Sequence, residues 1–263
     1  MFTNNKGISE KDHVKKINDS IIDPQLQKLL DSSKLSGSIL IFDVEKGKYF
    51  CSNDFALTKK VFLPASTFKV PNTLIGLETG IININTIFKW DGKKRKLKIW
   101  EKDLNLHDAF HASCVPCFQE LAEKIGPKRM QEYLNKFEYG NSNISPDNIK
   151  VFWLEGNALK ITMSDQLAFI KKLYYEKLPV KAENMKILKA LMEIETGSNY
   201  RLFGKTGWAI RDDYNIGWFV GWALKGERLL FLITNVSPYP DMNMDEFPSQ
   251  RLKVSKAALD LIF

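Results

Sequence analysis

The hydrophobic residues of this sequence show strand character near both ends of the chain and helical spacing in the middle. Apolar runs at 39–42 and 49–51 are joined by a charged turn that contains Gly47, which predicts a β-hairpin. Three later runs, separated by charged or glycine-bearing turns, predict strands at 202–210, 215–224 and 228–236.

Apolar residues three or four positions apart predict several helices. The first begins at Asp23 and Pro24, an N-cap and first-turn pair that precedes Leu26, Leu29 and Leu30. The other predicted helices are built on Met130, Tyr133, Leu134 and Phe137 between Pro127 and Gly140; on Leu167, Ile170 and Tyr174 between a Ser164 N-cap and Pro179; on Met185, Leu188, Leu191 and Met192 before Gly197; and on Leu252, Leu259 and Ile262 after a start at Ser249.

This order of elements predicts one antiparallel sheet, assembled from both terminal parts of the chain and flanked by helices, with a mainly helical lobe inserted. The fold class is therefore α/β, in the α+β sense. We expect a single catalytic domain over residues 1–263, with a sheet lobe at about 1–80 and 197–263 and a helical lobe at about 81–196.

The composition is that of a globular chain. The 38 basic and 31 acidic side chains leave a net charge of +7, and 44% hydrophobic residues exclude a disordered protein. No apolar run reaches the ~18 residues of a membrane helix, so we expect no membrane insertion. The polar first residues lack the apolar segment of a signal peptide, which predicts a cytosolic protein or one whose signal has been removed. Three cysteines exclude the disulfide framework of a small secreted protein.

The first chemical candidate is Ser66-Thr67-Phe68-Lys69, at the start of a helix-like stretch that runs to Gly80. On a helix, residues three positions apart share a face, so the serine hydroxyl and the lysine amine come within hydrogen-bond reach. A desolvated lysine is one base that makes a serine nucleophilic. The alternative is an N-cap serine beside a surface lysine, and the tetrapeptide alone does not separate the two.

A second candidate is Lys205-Thr206-Gly207, inside the predicted strand 202–210. A cation, a hydroxyl and a glycine that permits close approach suit an anionic ligand laid along a strand edge. Gly204-Lys205-Thr206 also imitates the end of a P-loop, but that motif requires glycine where the chain has Asn199. We therefore reject a nucleotide site.

Two other patterns suggest different functions. His107, His111, Cys114 and Cys117 have a spacing that could bind zinc, but Pro116 interrupts the segment. We expect no metal site and interpret Cys117 as a small buried apolar residue. The basic run at 93–98 would suit nucleic acid, but no RNA- or DNA-binding motif accompanies it and a solvated turn explains it at least as well.

Five motifs occur in order along the chain: Ser66-Thr67-Phe68-Lys69, Ser113-Cys114-Val115, Tyr139-Gly140-Asn141, Trp153-Leu154-Glu155-Gly156 and Lys205-Thr206-Gly207. Their order and approximate spacing resemble those of the class D (OXA-type) serine β-lactamases, and with Arg251 the resemblance covers about residues 66–251. It implies a fold of the serine β-lactamase and penicillin-binding transpeptidase kind. It also implies hydrolysis of the β-lactam ring of penicillin-type antibiotics.

The resemblance implies a catalytic role for four positions. Ser66 would be the acylated nucleophile, and Lys69 would be carbamylated by carbon dioxide to serve as the general base. Trp153 would donate its indole N–H to that carbamate, and Ser113 would pass a proton to the leaving nitrogen.

Further positions are implied to surround the substrate. Lys205, Thr206, Gly207 and Arg251 would hold its carboxylate, while the backbone N–H groups of Ser66 and Trp208 would form an oxyanion hole. Val115 and Leu154 would form a dry lid over the carbamate, and Tyr139, Gly140 and Asn141 would start the loop that buries it.

The resemblance implies no cofactor besides carbon dioxide or bicarbonate, and a small-molecule β-lactam as the partner. We expect no nucleic acid, and a monomer or homodimer. The enzyme would be periplasmic or secreted after removal of a signal peptide. The main alternative is the sensor domain of a β-lactam receptor, which resembles these enzymes but keeps its acyl adduct.

Overall fold

The computed structural model describes residues 19–196, 199–211 and 214–263. Its strands are β1 (Ser20–Ile22), β2 (Leu35–Asp43), β3 (Lys48–Cys51), β4 (Ile87–Phe88), β5 (Leu104–Asn105), β6 (Asn141–Ser142), β7 (Leu159–Lys160), β8 (Glu193–Thr196), β9 (Arg201–Arg211), β10 (Tyr214–Lys225) and β11 (Arg228–Pro238). Within this described part, seven strands form the main sheet in the order β1-β3-β2-β11-β10-β9-β8, and β4–β5 and β6–β7 form small separate pairs.

The helices are α1 (Pro24–Ser32), α2 (Lys69–Glu78), α3 (Leu106–His111), α4 (Val115–Ile125), α5 (Pro127–Phe137), α6 (Met163–Tyr174), α7 (Ala182–Leu191) and α8 (Phe247–Ile262). Short 3₁₀ turns lie at η1 (Phe55–Lys59), η2 (Ala65–Phe68) and η3 (Lys98–Trp100). None of the described helices is both long enough and apolar enough to cross a membrane.

Helices cover both faces of the main sheet. Side chains alternate along β10, so Trp218 and Val220 lie in the core shared with the helices between α2 and α7, whereas Phe219 and Ala223 lie in the core shared with α1 and α8. The sequence of a central strand that is buried on both faces is a nearly continuous apolar run. This explains why apolar and polar residues do not alternate along β10 and β11.

The structure confirms the predicted sheet built from both terminal parts of the chain, with helices between them. One pairing differs from the prediction: β1 runs parallel to β3, while the other neighbours in the sheet are antiparallel. The short β8 at Glu193–Thr196 also joins this sheet, before the position where sheet residues were expected to resume. The predicted stop at Gly197 lies outside the described residues, and the division into two lobes stays a prediction.

Two predicted helix starts are wrong by two residues. Helix α6 is capped by Thr162 instead of Ser164, because Thr162 and Asp165 exchange side-chain and backbone hydrogen bonds in a capping box. Helix α8 starts at Phe247 instead of Ser249, since Pro248 occupies a first-turn position where its missing N–H is not needed.

The sheet holds η2 in place through Trp218. The Trp218 indole donates to the Leu63 carbonyl at 2.8 Å, three residues before Ser66, and both Trp218 and Leu63 are buried. A buried carbonyl that loses its donor pays a desolvation penalty, so this bond ties the 3₁₀ turn to β10.

We predict that Trp218→Phe lowers the free energy of unfolding because the Leu63 carbonyl loses its hydrogen-bond donor. We expect about 1–3 kcal/mol more than the smaller buried apolar area of phenylalanine accounts for. Trp222→Phe, at a buried position of the same strand that contributes ring stacking on Phe203, is the matched control. Urea unfolding of both variants provides the measurement, and equal losses would contradict the proposed role of the hydrogen bond.

Candidate active site

A buried hydroxyl–amine pair lies at the junction of η2 and α2. The Lys69 amine donates to the Ser66 hydroxyl at 2.9 Å. Lys69 is fully buried and Ser66 is 9% exposed. The sequence spacing predicted this contact, and burial makes the pair unlike an N-cap serine beside a surface lysine.

The surroundings of Lys69 favour its neutral form. Burial, and secondarily the positive charge of Lys205, hold the pKa of Lys69 well below its ordinary value. Besides its hydrogen bond with Ser66, the Lys69 amine lies near the Phe118 ring, at 5.3 Å from the ring centre. A neutral amine next to a serine hydroxyl can accept a proton, which a lysine in water cannot do at neutral pH.

Backbone strain lies immediately before the hydroxyl. Ala65 has a φ of +51°, and its N–H donates to the Trp153 carbonyl at 3.0 Å. A left-handed conformation at a non-glycine residue is unfavourable and persists only where the surrounding structure imposes it. The bond to Trp153 is part of what holds this turn.

Trp153 brings a buried donor to the same place. Its ring stacks on Phe68 at a centroid distance of 5.2 Å, and the side chain is fully buried. The indole Nε1 has no hydrogen-bond partner among the described residues. Since buried donors are nearly always paired, the site lacks an acceptor at this position.

Strand β9 brings Lys205 and Gly207 against η2. A Cβ on Gly207 would lie 3.0 Å from the Pro64 carbonyl oxygen and 3.2 Å from the Thr67 nitrogen, so only glycine allows this approach without a shift. Lys205 is buried beside the Phe110 ring, 5.6 Å from its centre. Burial, and then the charge of Arg251, lower the pKa of Lys205 to about 7.

Arg251 reaches this region from α8. Its guanidinium donates to the Gly207 carbonyl and, at 2.9 Å, to the Pro248 carbonyl, and its Cζ lies 5.9 Å from the centre of the Trp208 ring. Burial lowers the pKa of Arg251 to about 10, which leaves it charged at neutral pH. The contact with Gly207 brings this arginine next to the Lys205-Thr206-Gly207 segment of β9.

The three basic side chains of this region share one property. Lys69, Lys205 and Arg251 are all buried, and no carboxylate among the described residues contributes to the pKa shift of any of them. Buried charges are normally paired, because burial without a counter-ion is costly. The positive charge of Arg251, and of Lys205 when it is protonated, therefore suits an anionic ligand.

Ser113 lies between α3 and α4, and Val115 begins α4. Ser113 has a φ of +51° and is half-buried, and its N–H donates to the carbonyl of Phe110, the residue that contacts Lys205. Val115, also half-buried, is the first residue of α4, which Cys114 caps. The turn thus places Ser113 within one helical turn of a side chain that touches Lys205.

The interpretation of Cys117 as a simple apolar residue is wrong. Cys117 is buried as expected, but it forms a disulfide with the buried Cys114 across the first turn of α4. Their Cα atoms lie 5.4 Å apart, within the range that a disulfide spans, because an N-cap and the third helical residue are close neighbours. Both sulfurs of the histidine–cysteine pattern are therefore occupied by this bond.

Tyr139 connects to η2 through a residue that the sequence analysis missed. The Tyr139 hydroxyl donates to Gln166 Oε1 at 3.3 Å, and Gln166 Nε2 donates to Thr67 Oγ1 at 2.9 Å. Burial raises the pKa of Tyr139, which keeps the hydroxyl protonated as a donor. The available signal was an amide inside the apolar stripe of α6, between Met163 and Ile170.

The remaining predicted residues have the following surroundings. Gly140 has a φ of +62°, and a Cβ there would collide with the Lys160 carbonyl. Asn141 is exposed, and its side-chain oxygen accepts from the Lys160 N–H at 2.9 Å. The last three predicted residues, Leu154, Thr206 and Trp208, are half-buried. Leu154 packs against the core that lies between the main sheet and the central helices.

Comparisons with known proteins identify the family of the chain. The profile described as "Penicillin binding protein transpeptidase domain" matches residues 37–257. The chain is 42% identical over 209 residues to β-lactamase OXA-10 of Pseudomonas aeruginosa, which covers 78% of each sequence. It is 37% identical over 227 residues to β-lactamase OXA-48 of Klebsiella pneumoniae, which covers 86% of this chain and 83% of that protein.

Two solved structures of class D β-lactamases are similar to this chain in fold and sequence. The class D β-lactamase YbXI from Nostoc aligns with a TM-score of 0.84 and 37% identity, over 90% of this chain and 98% of that one. The class D β-lactamase of Sebaldella termitidis aligns with a TM-score of 0.86 and 34% identity, over 92% and 97% respectively.

We predict that Lys205 loses its proton at about pH 7 and that Arg251→Met raises this midpoint, because a nearby positive charge is removed. Competitive acetylation followed by peptide mass spectrometry measures the midpoint for this single amine. Unfolded lysine retains its proton to higher pH, so Lys205 destabilises the fold below pH 7 and this penalty disappears as the pH rises through the alkaline range. A midpoint near that of the surface lysines would contradict the prediction.

Proposed function

The chain belongs to the class D serine β-lactamases, and from that premise we propose that it hydrolyses penicillin-type β-lactams through an acyl-enzyme on Ser66. It is a β-lactam hydrolase of this class. The observation that supports the proposed route is the buried Ser66–Lys69 pair at 2.9 Å beside two buried basic side chains, Lys205 and Arg251, that have no carboxylate partner among the described residues.

Acylation begins at the hydroxyl. Ser66 Oγ attacks the ring carbonyl while its proton moves to the Lys69 side chain, and the ring C–N bond then breaks as Ser113 delivers a proton to the departing nitrogen. The backbone N–H groups of Ser66 and Trp208 receive the oxyanion. Close packing of β9 on η2, which Gly207 permits, supports this assignment by bringing the two backbones together.

The residues around Lys69 fit a carbamate on its amine. Only a neutral amine combines with carbon dioxide, releasing one proton as the carbamate forms, and burial favours that neutral form. The unpaired Trp153 indole N–H would hold a carbamate oxygen. When present, this group supplies an anionic base for both acylation and deacylation.

Substrate binding falls to the other cations. Lys205, Thr206, Gly207 and Arg251 hold the carboxylate that penicillin-type substrates carry, which supplies the negative charge that this site lacks. Arg251 already donates to the Gly207 carbonyl, so its guanidinium is oriented before the substrate arrives.

The lid and loop residues exclude water. Val115 and Leu154 would cover a carbamate on Lys69, and Tyr139, Gly140 and Asn141 would begin the loop that buries it. The link from Tyr139 through Gln166 to Thr67 supports this role, because it ties the loop to the residue that follows Ser66.

We place the enzyme in the periplasm or outside the cell. The Cys114–Cys117 disulfide supports this location, since such bonds persist in oxidising compartments and are rare in the cytosol.

We predict sustained turnover of a chromogenic cephalosporin that rises with added bicarbonate. Ser66→Ala and Lys69→Ala each lower kcat/KM by about 10³-fold or more, because each removes half of one catalytic unit. Absorbance follows turnover, and intact mass follows the acyl adduct. A stoichiometric burst that leaves a stable adduct would instead favour a receptor domain, and no reaction at all would rule out both functions.

We also predict that Trp153→Phe weakens the carbamate by removing its N–H donor. At ambient carbon dioxide, kcat falls about tenfold to a hundredfold, as expected for a lost hydrogen bond to a charged group, and added bicarbonate restores most of it. Trp222→Phe serves as the control and keeps the bicarbonate dependence of the parent enzyme. Failure of bicarbonate to restore kcat in Trp153→Phe would show that the indole acts in some other way.

A further inference from the structure

The Cys114–Cys117 disulfide lies inside the segment that carries Ser113 and Val115. Cys114 follows the strained Ser113 directly and caps α4, and its sulfur also accepts from the Cys117 N–H at 3.3 Å. The bond therefore encloses Val115 and begins one residue after Ser113. Any change in this four-residue ring acts on both proposed active-site residues.

The other end of the ring leads to the nucleophile helix. Phe118 follows Cys117, and its ring lies 5.3 Å from the Lys69 amine. The Phe118 carbonyl accepts from Asn72 Nδ2, on α2, at 3.1 Å. The disulfide thus joins a strained turn on one side to an anchored residue on the other.

Backbone bonds alone hold this turn less firmly than the covalent bond does. The Cys114 N–H donates to the Ala109 carbonyl at 2.9 Å, and the Phe118 N–H donates to the Cys114 carbonyl at a longer 3.3 Å. A left-handed φ at Ser113 is unfavourable for a residue with a Cβ, so the turn tends to relax wherever its neighbours allow it. The cross-link opposes that relaxation.

A cavity borders the disulfide. Cys114, Pro116 and Cys117 line a cavity of about 240 Å³, together with the rings of Trp90 and Trp100. The third cysteine of the chain, Cys51, is a free, buried thiol that is hydrogen-bonded to the Ser38 hydroxyl. Because a dithiol reduces disulfides and leaves thiols unchanged, its effect within one molecule of this protein falls on the Cys114–Cys117 bond.

We propose that the Cys114–Cys117 disulfide is a positioning element of the active site, and that its reduction by a small dithiol slows β-lactam hydrolysis by releasing Ser113 and Val115. This inference rests on the proposed function. A thiolate of the dithiol attacks one sulfur, and the other cysteine leaves as a thiolate and takes a proton. The second thiol then closes the reductant into a cyclic disulfide and frees the first cysteine.

The test compares oxidised and reduced forms of the same enzyme. The protein is treated with dithiothreitol, desalted without oxygen and assayed with a chromogenic cephalosporin, while intact mass reports the gain of two hydrogens. We expect kcat to fall about tenfold, as for a misplaced catalytic group, with a smaller change in KM, and reoxidation to restore it. Circular dichroism and stoichiometric acylation of Ser66 show that the reduced enzyme is folded.

Two variants complete the design. Cys114→Ser/Cys117→Ala keeps an N-cap oxygen but removes the cross-link, so it should show the reduced kcat and ignore dithiothreitol. Cys51→Ala should behave as the parent enzyme in both states. If dithiothreitol fails to reduce the disulfide, the kcat values of these two variants still test its positioning role.

The outcomes separate the two proposals. An enzyme that is inactive when oxidised overturns the proposed function itself. An active enzyme whose kcat is the same with the bond intact, reduced or deleted overturns only the positioning role of the disulfide, as does an isolated protein whose mass shows free thiols at full activity.

Discussion

The structure depends on holding three basic side chains in a buried interior. Burial lowers the pKa values of Lys69, Lys205 and Arg251, and no carboxylate among the described residues accompanies them. Because an isolated buried cation is costly, the neutral form of Lys69 is favoured, and the Arg251 guanidinium is stabilised by the carbonyls of Gly207 and Pro248. On the proposed function, the substrate carboxylate supplies the negative charge that Arg251 and protonated Lys205 attract.

The same constraint explains why the surrounding backbone is rigid and strained. An electrostatic site acts only if its dipoles are fixed before the ligand binds. Ala65 and Ser113 both have left-handed conformations, and the backbone N–H of each is hydrogen-bonded: Ala65 to the Trp153 carbonyl and Ser113 to the Phe110 carbonyl. Strands β9 and β10 pack against η2 and support the strain at Ala65.

The sequence predicted local chemistry better than long-range contacts. The Ser66–Lys69 contact follows from helical spacing, and the order of strands and helices follows from hydrophobic patterns. Gln166 was missed because its partners lie 27 and 99 positions away along the chain. The disulfide of Cys117 could not be predicted because a free buried cysteine and a disulfide-bonded one occur in the same apolar sequence pattern. The position of Arg251 depends on the packing of α8 against β9, where its guanidinium donates to the Gly207 carbonyl, and such a contact is not visible in the sequence.

On the proposed mechanism, one physical cause serves two opposite needs. Burial favours the neutral form of Lys69, which is the form that combines with carbon dioxide, and the product would be an anion near Lys205 and the Trp153 indole. The desolvation that disfavours a cation would equally disfavour that anion if it stood alone. Protonated Lys205 and the Trp153 indole N–H would stabilise the carbamate enough to offset its desolvation. The same buried surroundings that favour the neutral amine would therefore also hold the anionic base formed from it.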